Sequence, residues 1–119
     1  MISPKKILVV EDDPSIRTAL SHVLEAEGYQ VVAASNGRIG MDLLRSDARP
    51  ALVLLDLMMP VMNGHEFLEE QRNDLLLSQV PVVVVSANAS RANSQGAAGY
   101  LRKPVNLEDL LMTVEMHRA

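Results

Sequence analysis

The sequence has no cysteine, which excludes disulfides and thiolate metal sites and leaves the compartment undecided. It has no excess of base either. Eleven Lys and Arg stand against 15 Asp and Glu, a net charge of −4 with the two signs interspersed. A phosphate backbone rewards a basic face, so nucleic acid is not expected as a direct partner. No apolar run approaches the ~20 residues of a membrane span, and the N-terminus lacks the long apolar stretch of a signal peptide. Internal repeats, low-complexity tracts and linkers are missing too. What remains is the expectation of a soluble, cytoplasmic protein with no membrane contact. Its 119 residues suffice for one core and fall short of two domains. The apolar share of 48% and charged share of 22% are those of an ordinary globular chain.

Short apolar runs alternate with longer amphipathic stretches. Ile7-Leu-Val-Val10 ends abruptly in acid, as a buried parallel strand does. Asp13-Pro14 supplies an N-cap and a first helical residue; Ile16, Ala19, Leu20, Val23 and Leu24 recur at helical spacing, and Gly28 stops the helix. The cycle then predicts strands over 29–34, 51–57, 80–85 and 99–101. It predicts a helix over 38–45 with Ile39, Leu43 and Leu44 on one side, and another over 65–76 using Phe67, Leu68, Leu75 and Leu76. The last helix, over 107–117, carries Leu107, Leu110, Leu111 and Val114. Strands alternating with helices imply right-handed crossovers. The fold class is therefore α/β: a three-layer, doubly wound, five-stranded parallel sheet.

Ligands of such sheets bind outside the carboxyl ends of the strands. Glu11, Asp12 and Asp13 follow the first run, Asp56 the third, Ser86 the fourth and Lys103 the fifth. Clustered carboxylates repel unless a cation neutralises them, and an all-oxygen site suits Mg²⁺. A lysine and a hydroxyl beside them complement a phosphoryl group. Asp13, directly before Pro14, reads as a helix cap rather than a ligand. His22, His65 and His117 have no partner spacing and read as surface residues. Met58, Met59 and Met62 read as loop and packing residues.

Four segments stand in order on these elements: Ile7-Leu-Val-Val-Glu-Asp-Asp-Pro14, Leu55-Asp-Leu-Met-Met-Pro-Val-Met-Asn-Gly64, Val85-Ser-Ala87 and Gly99-Tyr-Leu-Arg-Lys-Pro104. Through them the chain resembles the response-regulator receiver domains of two-component signalling over nearly its whole length. The resemblance implies a flavodoxin-like fold and a single receiver domain, residues 1–119, of the stand-alone type. It implies that Asp56 accepts a phosphoryl group from a phosphohistidine on a sensor histidine kinase or phosphotransfer protein, and that a downstream protein reads the result. Glu11 and Asp12 match the acidic pair that holds Mg²⁺ together with Asp56 and the backbone carbonyl of Met58. Lys103 would pair with the phosphoryl oxygens, Ser86 would swing in to hydrogen-bond one of them, and Tyr100 would turn inward as the switch aromatic. Lys103-Pro104 matches a peptide bond that is typically cis in the family. Such a domain is not an enzyme in the usual sense; it catalyses only its own phosphorylation and dephosphorylation.

The sequence departs from the family between Ser86 and Lys103, which is shorter by about four to six residues, roughly one helical turn. Ala89 and Ala92 are the only apolar positions there before Gly96, among Asn and Ser that favour helices poorly. The fourth helix is expected to be short, irregular or mobile, with phosphorylation read by ordering this segment. Its loss of cover would open a face to a partner protein or to a second copy in a homodimer. Two other readings compete. One is a pseudo-receiver, an interaction scaffold without phosphoryl chemistry, which the shortened segment favours and the intact Glu11, Asp12, Asp56, Ser86 and Lys103 oppose. The other is a phosphatase-like hydrolase, whose second acid would fall where Met58 stands.

Overall fold

β1 (Lys6–Val10) is buried on both sides, with Ile7 and Val9 in one apolar cluster and Leu8 and Val10 in another. A central parallel strand has no solvent side, which is why its run is continuous rather than alternating. The computed structural model describes residues 5–46 and 49–118; the ends of the expected domain, 1–4 and 119, lie outside the described residues. Beside β1 stand β2 (Gln30–Ala34), β3 (Leu52–Leu55), β4 (Val82–Ser86) and β5 (Gly99–Arg102). All pairings are parallel and the order is β2-β1-β3-β4-β5. The order reverses between β1 and β3, so a crevice opens at their carboxyl ends.

Four α-helices among the described residues complete the three layers. Leu20 and Leu24 of α1 (Pro14–Ala26) and Leu110 and Val114 of α4 (Leu107–His117) pack on Ile7, Val9, Leu54, Val83 and Val85. Met41 and Leu44 of α2 (Gly37–Leu44) and Phe67 and Leu68 of α3 (Gly64–Arg72) pack on the other face, against Leu8, Val10, Leu55 and Val84. Each such side chain, fully buried, is worth about 1.5–3 kcal/mol. This is the doubly wound α/β architecture that the alternation predicts. Asp13 caps α1 as expected, accepting from the N–H groups of Ser15 at 2.8 Å and Ile16 at 3.2 Å.

The face of α2, the end of α3 and the burial of Ala92 differ from expectation. α2 buries Gly37, Gly40, Met41 and Leu44, while Ile39 is 42% exposed. The reason is Gly40, where a Cβ would stand 2.8 Å from Val10 Cγ2; the helix seats on its glycine face. α3 ends at Arg72 rather than running to 76, and Leu75 and Leu76 are exposed. Asp74 Oδ1 accepts from the N–H groups of Leu76 and Leu77, and buried Gln71 donates to the carbonyls of Leu77 and Val80, so a polar turn ends the helix. Between β4 and β5 residues 87–98 cross as turns, in line with the expected shortened or irregular fourth helix. Ala89 is fully buried there, but Ala92 is exposed and Ser94 is buried in its stead.

Candidate functional site

Glu11 is the first residue past β1 and Asp56 the first past β3, and the register Val10↔Leu55 sets them side by side. The Glu11 N–H donates to the Ala34 carbonyl and the Asp56 N–H to the Val10 carbonyl, each at 3.0 Å. Both side chains are buried, at 2% and 5% exposure, whereas Asp12 faces solvent. One carboxylate oxygen from each of Glu11, Asp12 and Asp56 lies within 4.8 Å of the other two. Lys103, carried in just after β5, puts its ammonium 2.5 Å from Glu11 Oε1 and 3.4 Å from Asp56 Oδ2. Its backbone N–H donates to the Ser86 carbonyl at 3.1 Å, and the Lys103–Pro104 bond is cis, as expected.

The electrostatics follow from burial. Desolvation pushes the Glu11 carboxyl up to about 7, against the lowering effect of hydrogen bonds from Lys103 and Asp13 and with help from the nearby Asp56 charge. Burial pulls the Lys103 ammonium down, but Glu11 and Asp56 together outweigh it and its pKa is raised. Lys103 is thus the shared cation of two carboxylates that would otherwise repel.

The donor set fits a hard divalent cation. Oxygens on one Mg²⁺ stand about 3–4 Å apart in its octahedron, close to the spacing of these carboxylates. All the donors are oxygen, which Mg²⁺ prefers.

The loop after β3 wraps Asp56. The Met58 N–H donates to Asp56 Oδ1 at 3.2 Å, and the Met58 side chain is 67% exposed. Met59 and Met62 are buried and anchor the loop as packing residues. Asn63 and Glu66 close a capping box at the start of α3. Gly64 is required here, because a Cβ would stand 2.6 Å from the Asp56 carbonyl oxygen. Val61 holds φ +70, a left-handed conformation that a β-branched residue resists. Ser86 is buried at the end of β4, with its hydroxyl donating to Asn88 Oδ1 at 2.9 Å. Tyr100, on β5, is 42% exposed. Glu11, Asp12, Asp56 and Lys103 therefore meet, while Ser86 is engaged elsewhere and Tyr100 lies out on the edge strand.

The model of the response regulator receiver domain matches residues 7–115, nearly all of the described chain. The chain belongs to the response regulator receiver domain family. Protein PilH of Pseudomonas aeruginosa is 37% identical over 92% of this chain and 93% of its own length. Response regulator MprA of Mycolicibacterium vanbaalenii is 40% identical over 91% of the chain, which spans 48% of that longer protein. Among solved structures, chemotaxis protein CheY4 of Vibrio cholerae superposes with a TM-score of 0.87 at 34% identity, covering 96% of this chain and 98% of that one. A receiver domain of this family is a signalling domain of two-component systems.

Two residues of this receiver domain escaped the sequence reading. Arg17, in α1, donates from Nη1 to the carbonyls of Glu11 at 2.8 Å and Asp12 at 3.3 Å, fixing the backbone of the acidic pair. Its signal was only its spacing from that pair, one helical turn past the Asp13 cap. Asn88 takes the Ser86 hydroxyl. A short amide two residues after a serine is a common turn element, and nothing in the sequence marked it as part of the site. Among the histidines, His117 is half-buried, its ring lying over Gly99.

Proposed function

We propose that residues 1–119 act as one receiver domain that takes a phosphoryl group on Asp56, and that the phosphorylated form is read by a downstream protein. The observation that carries this is the Lys103 ammonium held between Glu11 and Asp56 at the carboxyl ends of the strands. An Asp56 oxygen attacks phosphorus, the P–N bond of a phosphohistidine breaks, and the imidazole leaves with its electron pair. An acyl phosphate forms on Asp56. A carboxylate is a modest nucleophile, so the work is positioning and charge neutralisation. Lys103 exchanges its carboxylate partners for phosphoryl oxygens, and Ser86 turns its hydroxyl to another. Glu11, Asp12, Asp56 and the Met58 carbonyl would hold Mg²⁺, which when bound supplies further positive charge to those oxygens. Tyr100 follows Ser86 inward.

The phosphodonor is a sensor histidine kinase or phosphotransfer protein, and a cytoplasmic setting goes with that partner. No helix among the described residues is long and apolar enough to cross a membrane. The helix-free 87–98 crossover favours a second reading, a pseudo-receiver scaffold without phosphoryl transfer. One experiment separates them: exposure to a small phosphodonor with Mg²⁺, read by intact mass. Wild type is expected to gain one phosphoryl group and Asp56→Asn none. Undiminished labelling of the variant removes Asp56 from the mechanism, and an unlabelled wild type supports the scaffold.

A further inference from the structure

The 87–98 crossover is held by side-chain hydrogen bonds, and they form one chain that starts at Ser86. The Ser86 hydroxyl donates to Asn88 Oδ1 at 2.9 Å. The Asn88 carbonyl accepts from Asn93 Nδ2 at 2.6 Å, and Asn93 Oδ1 accepts from the Ser90 N–H at 2.8 Å. The Asn93 N–H closes back on Ser90 Oγ at 3.3 Å. From β5, Arg102 Nε donates to the Ala89 carbonyl at 3.2 Å. Only Ala89 and Ser94 are buried in this stretch, so hydrogen bonds supply most of its hold: these side-chain bonds, together with the backbone bonds Ala89 N–H to the Ser86 carbonyl at 3.2 Å and Ala98 N–H to the Val82 carbonyl at 2.7 Å. The segment expected to be short or irregular thus carries a specific set of side-chain hydrogen bonds, a network that begins at the candidate switch serine.

We propose that Asn88 is a positioning residue that holds the Ser86 hydroxyl away from the acceptor, and that moving this hydroxyl to a phosphoryl oxygen releases the Asn88–Asn93 turn, which is the surface a downstream protein reads. The inference rests on Asp56 being the phosphoacceptor. A serine hydroxyl has one proton to donate, so it cannot serve Asn88 and a phosphoryl oxygen together. When it leaves, the Asn88 side chain loses its anchor to the buried strand end, while the Ala89 N–H keeps its bond to the Ser86 carbonyl at 3.2 Å. The Asn88 carbonyl, Asn93 and the Ser90 amide then lose their fixed geometry in turn. This replaces the displacement of a helix by the opening of a polar turn.

The test is amide hydrogen exchange over residues 88–94, in the unmodified protein and with beryllofluoride and Mg²⁺. In wild type the Ser90 and Asn93 amides are expected to exchange roughly two- to tenfold faster with beryllofluoride, the scale of one lost hydrogen bond. Asn88→Ala is expected to show that faster exchange without beryllofluoride and little further change with it, while Asp56 is labelled at least as fast as in wild type. Asn88→Asp keeps the acceptor oxygen and is expected to retain slow exchange in the unmodified protein, which a merely bulk-filling role would not require. Intact Asp56 labelling with exchange indifferent to beryllofluoride overturns the inference alone. So does an Asn88→Ala protein that exchanges and responds like wild type. A wild-type protein that takes no label and binds no beryllofluoride overturns the phosphoacceptor reading and this inference with it.

Discussion

Between β1 and β3 the chain returns twice along capped helices, α1 behind Asp13 and α2 behind Asn36, whereas between β4 and β5 it returns through turns tied by Asn88, Ser90 and Asn93. The first construction presses Leu20, Leu24, Met41 and Leu44 into the core. The second buries one alanine and one serine. Apolar burial is non-directional and its close packing does not depend on which polar partner a group has, so the Val10–Leu55 register that sets Glu11 beside Asp56 rests on contacts no change of hydrogen-bond partner removes. A hydrogen-bonded turn is directional and nets only about 0.5–1.5 kcal/mol per bond. Exchanging one partner can undo it. The difference gives the acidic cluster the stiff half of the sheet as its support and leaves the other half tied by bonds that one exchange of partners undoes.

The largest effect expected from this contrast lies in the apolar core on which the stiff half rests, where Phe67 of α3 packs against α2 beside Gly40. Phe67 is fully buried, and Phe67→Ala is expected to cost about 3–5 kcal/mol of unfolding free energy in a denaturant titration. A loss below 1 kcal/mol, on the order of a surface change, would mean that apolar burial does not carry the load assigned to it.

The next effect is on pH dependence, and it comes from Glu11. A carboxyl whose folded pKa is raised from 4.5 to about 7 binds a proton in the folded state that the unfolded chain has released. Stability therefore falls as pH rises through that window, by up to about 3 kcal/mol, and is fully present below it. Lys103 works outside the window: its raised pKa stabilises the fold at neutral pH and that contribution is lost only in alkali above 10.5. Denaturation of wild type minus Glu11→Gln between pH 4.5 and 7 isolates the Glu11 slope. Mg²⁺ is expected to flatten it by favouring the ionised carboxyl. A Glu11→Gln protein with an unchanged slope would show that the desolvation of Glu11 is not felt.

Smaller effects sharpen the same comparison at its margins. Val61 is 78% exposed with φ +70, so Val61→Gly relieves strain without losing packing. A gain of roughly 0.5–1 kcal/mol is expected after the added unfolded-state entropy of glycine is subtracted. A loss in the same denaturant titration would show that the loop over Asp56 is unstrained. Ala92 is exposed within the turns, and Ala92→Gly is expected to change stability by less than about 0.5 kcal/mol. A cost on the Phe67 scale would erase the distinction between the two halves.

The parallel sheet, its layers and the residues at the strand ends were legible because burial on both faces writes itself as continuous runs such as Val82–Ser86, and because acids directly after such runs have few structural reasons to be there. The α2 face was misread because glycine has no side chain to register on an apolar face, although Gly40 against Val10 decides the packing. α3 was overextended because Leu75 and Leu76 fit the helical period; the competing bonds of Gln71 and Asp74 are polar and invisible to it. In the site, the meeting of Glu11, Asp12, Asp56 and Lys103 follows from topology alone. The Ser86–Asn88 bond does not, since it depends on a rotamer and on how a short polar loop folds back.

The account turns on Asp56 being a phosphoacceptor whose chemistry needs a divalent cation at Glu11 and Asp12. The most direct measurement is peptide-level mass spectrometry of the wild-type protein after incubation with a small phosphodonor, with Mg²⁺ and with a chelator in its place. The account predicts a single phosphoryl group, on the peptide containing Asp56, and its loss when the metal is removed. Phosphate on any other residue, or equal labelling of Asp56 in the presence of the chelator, would contradict it.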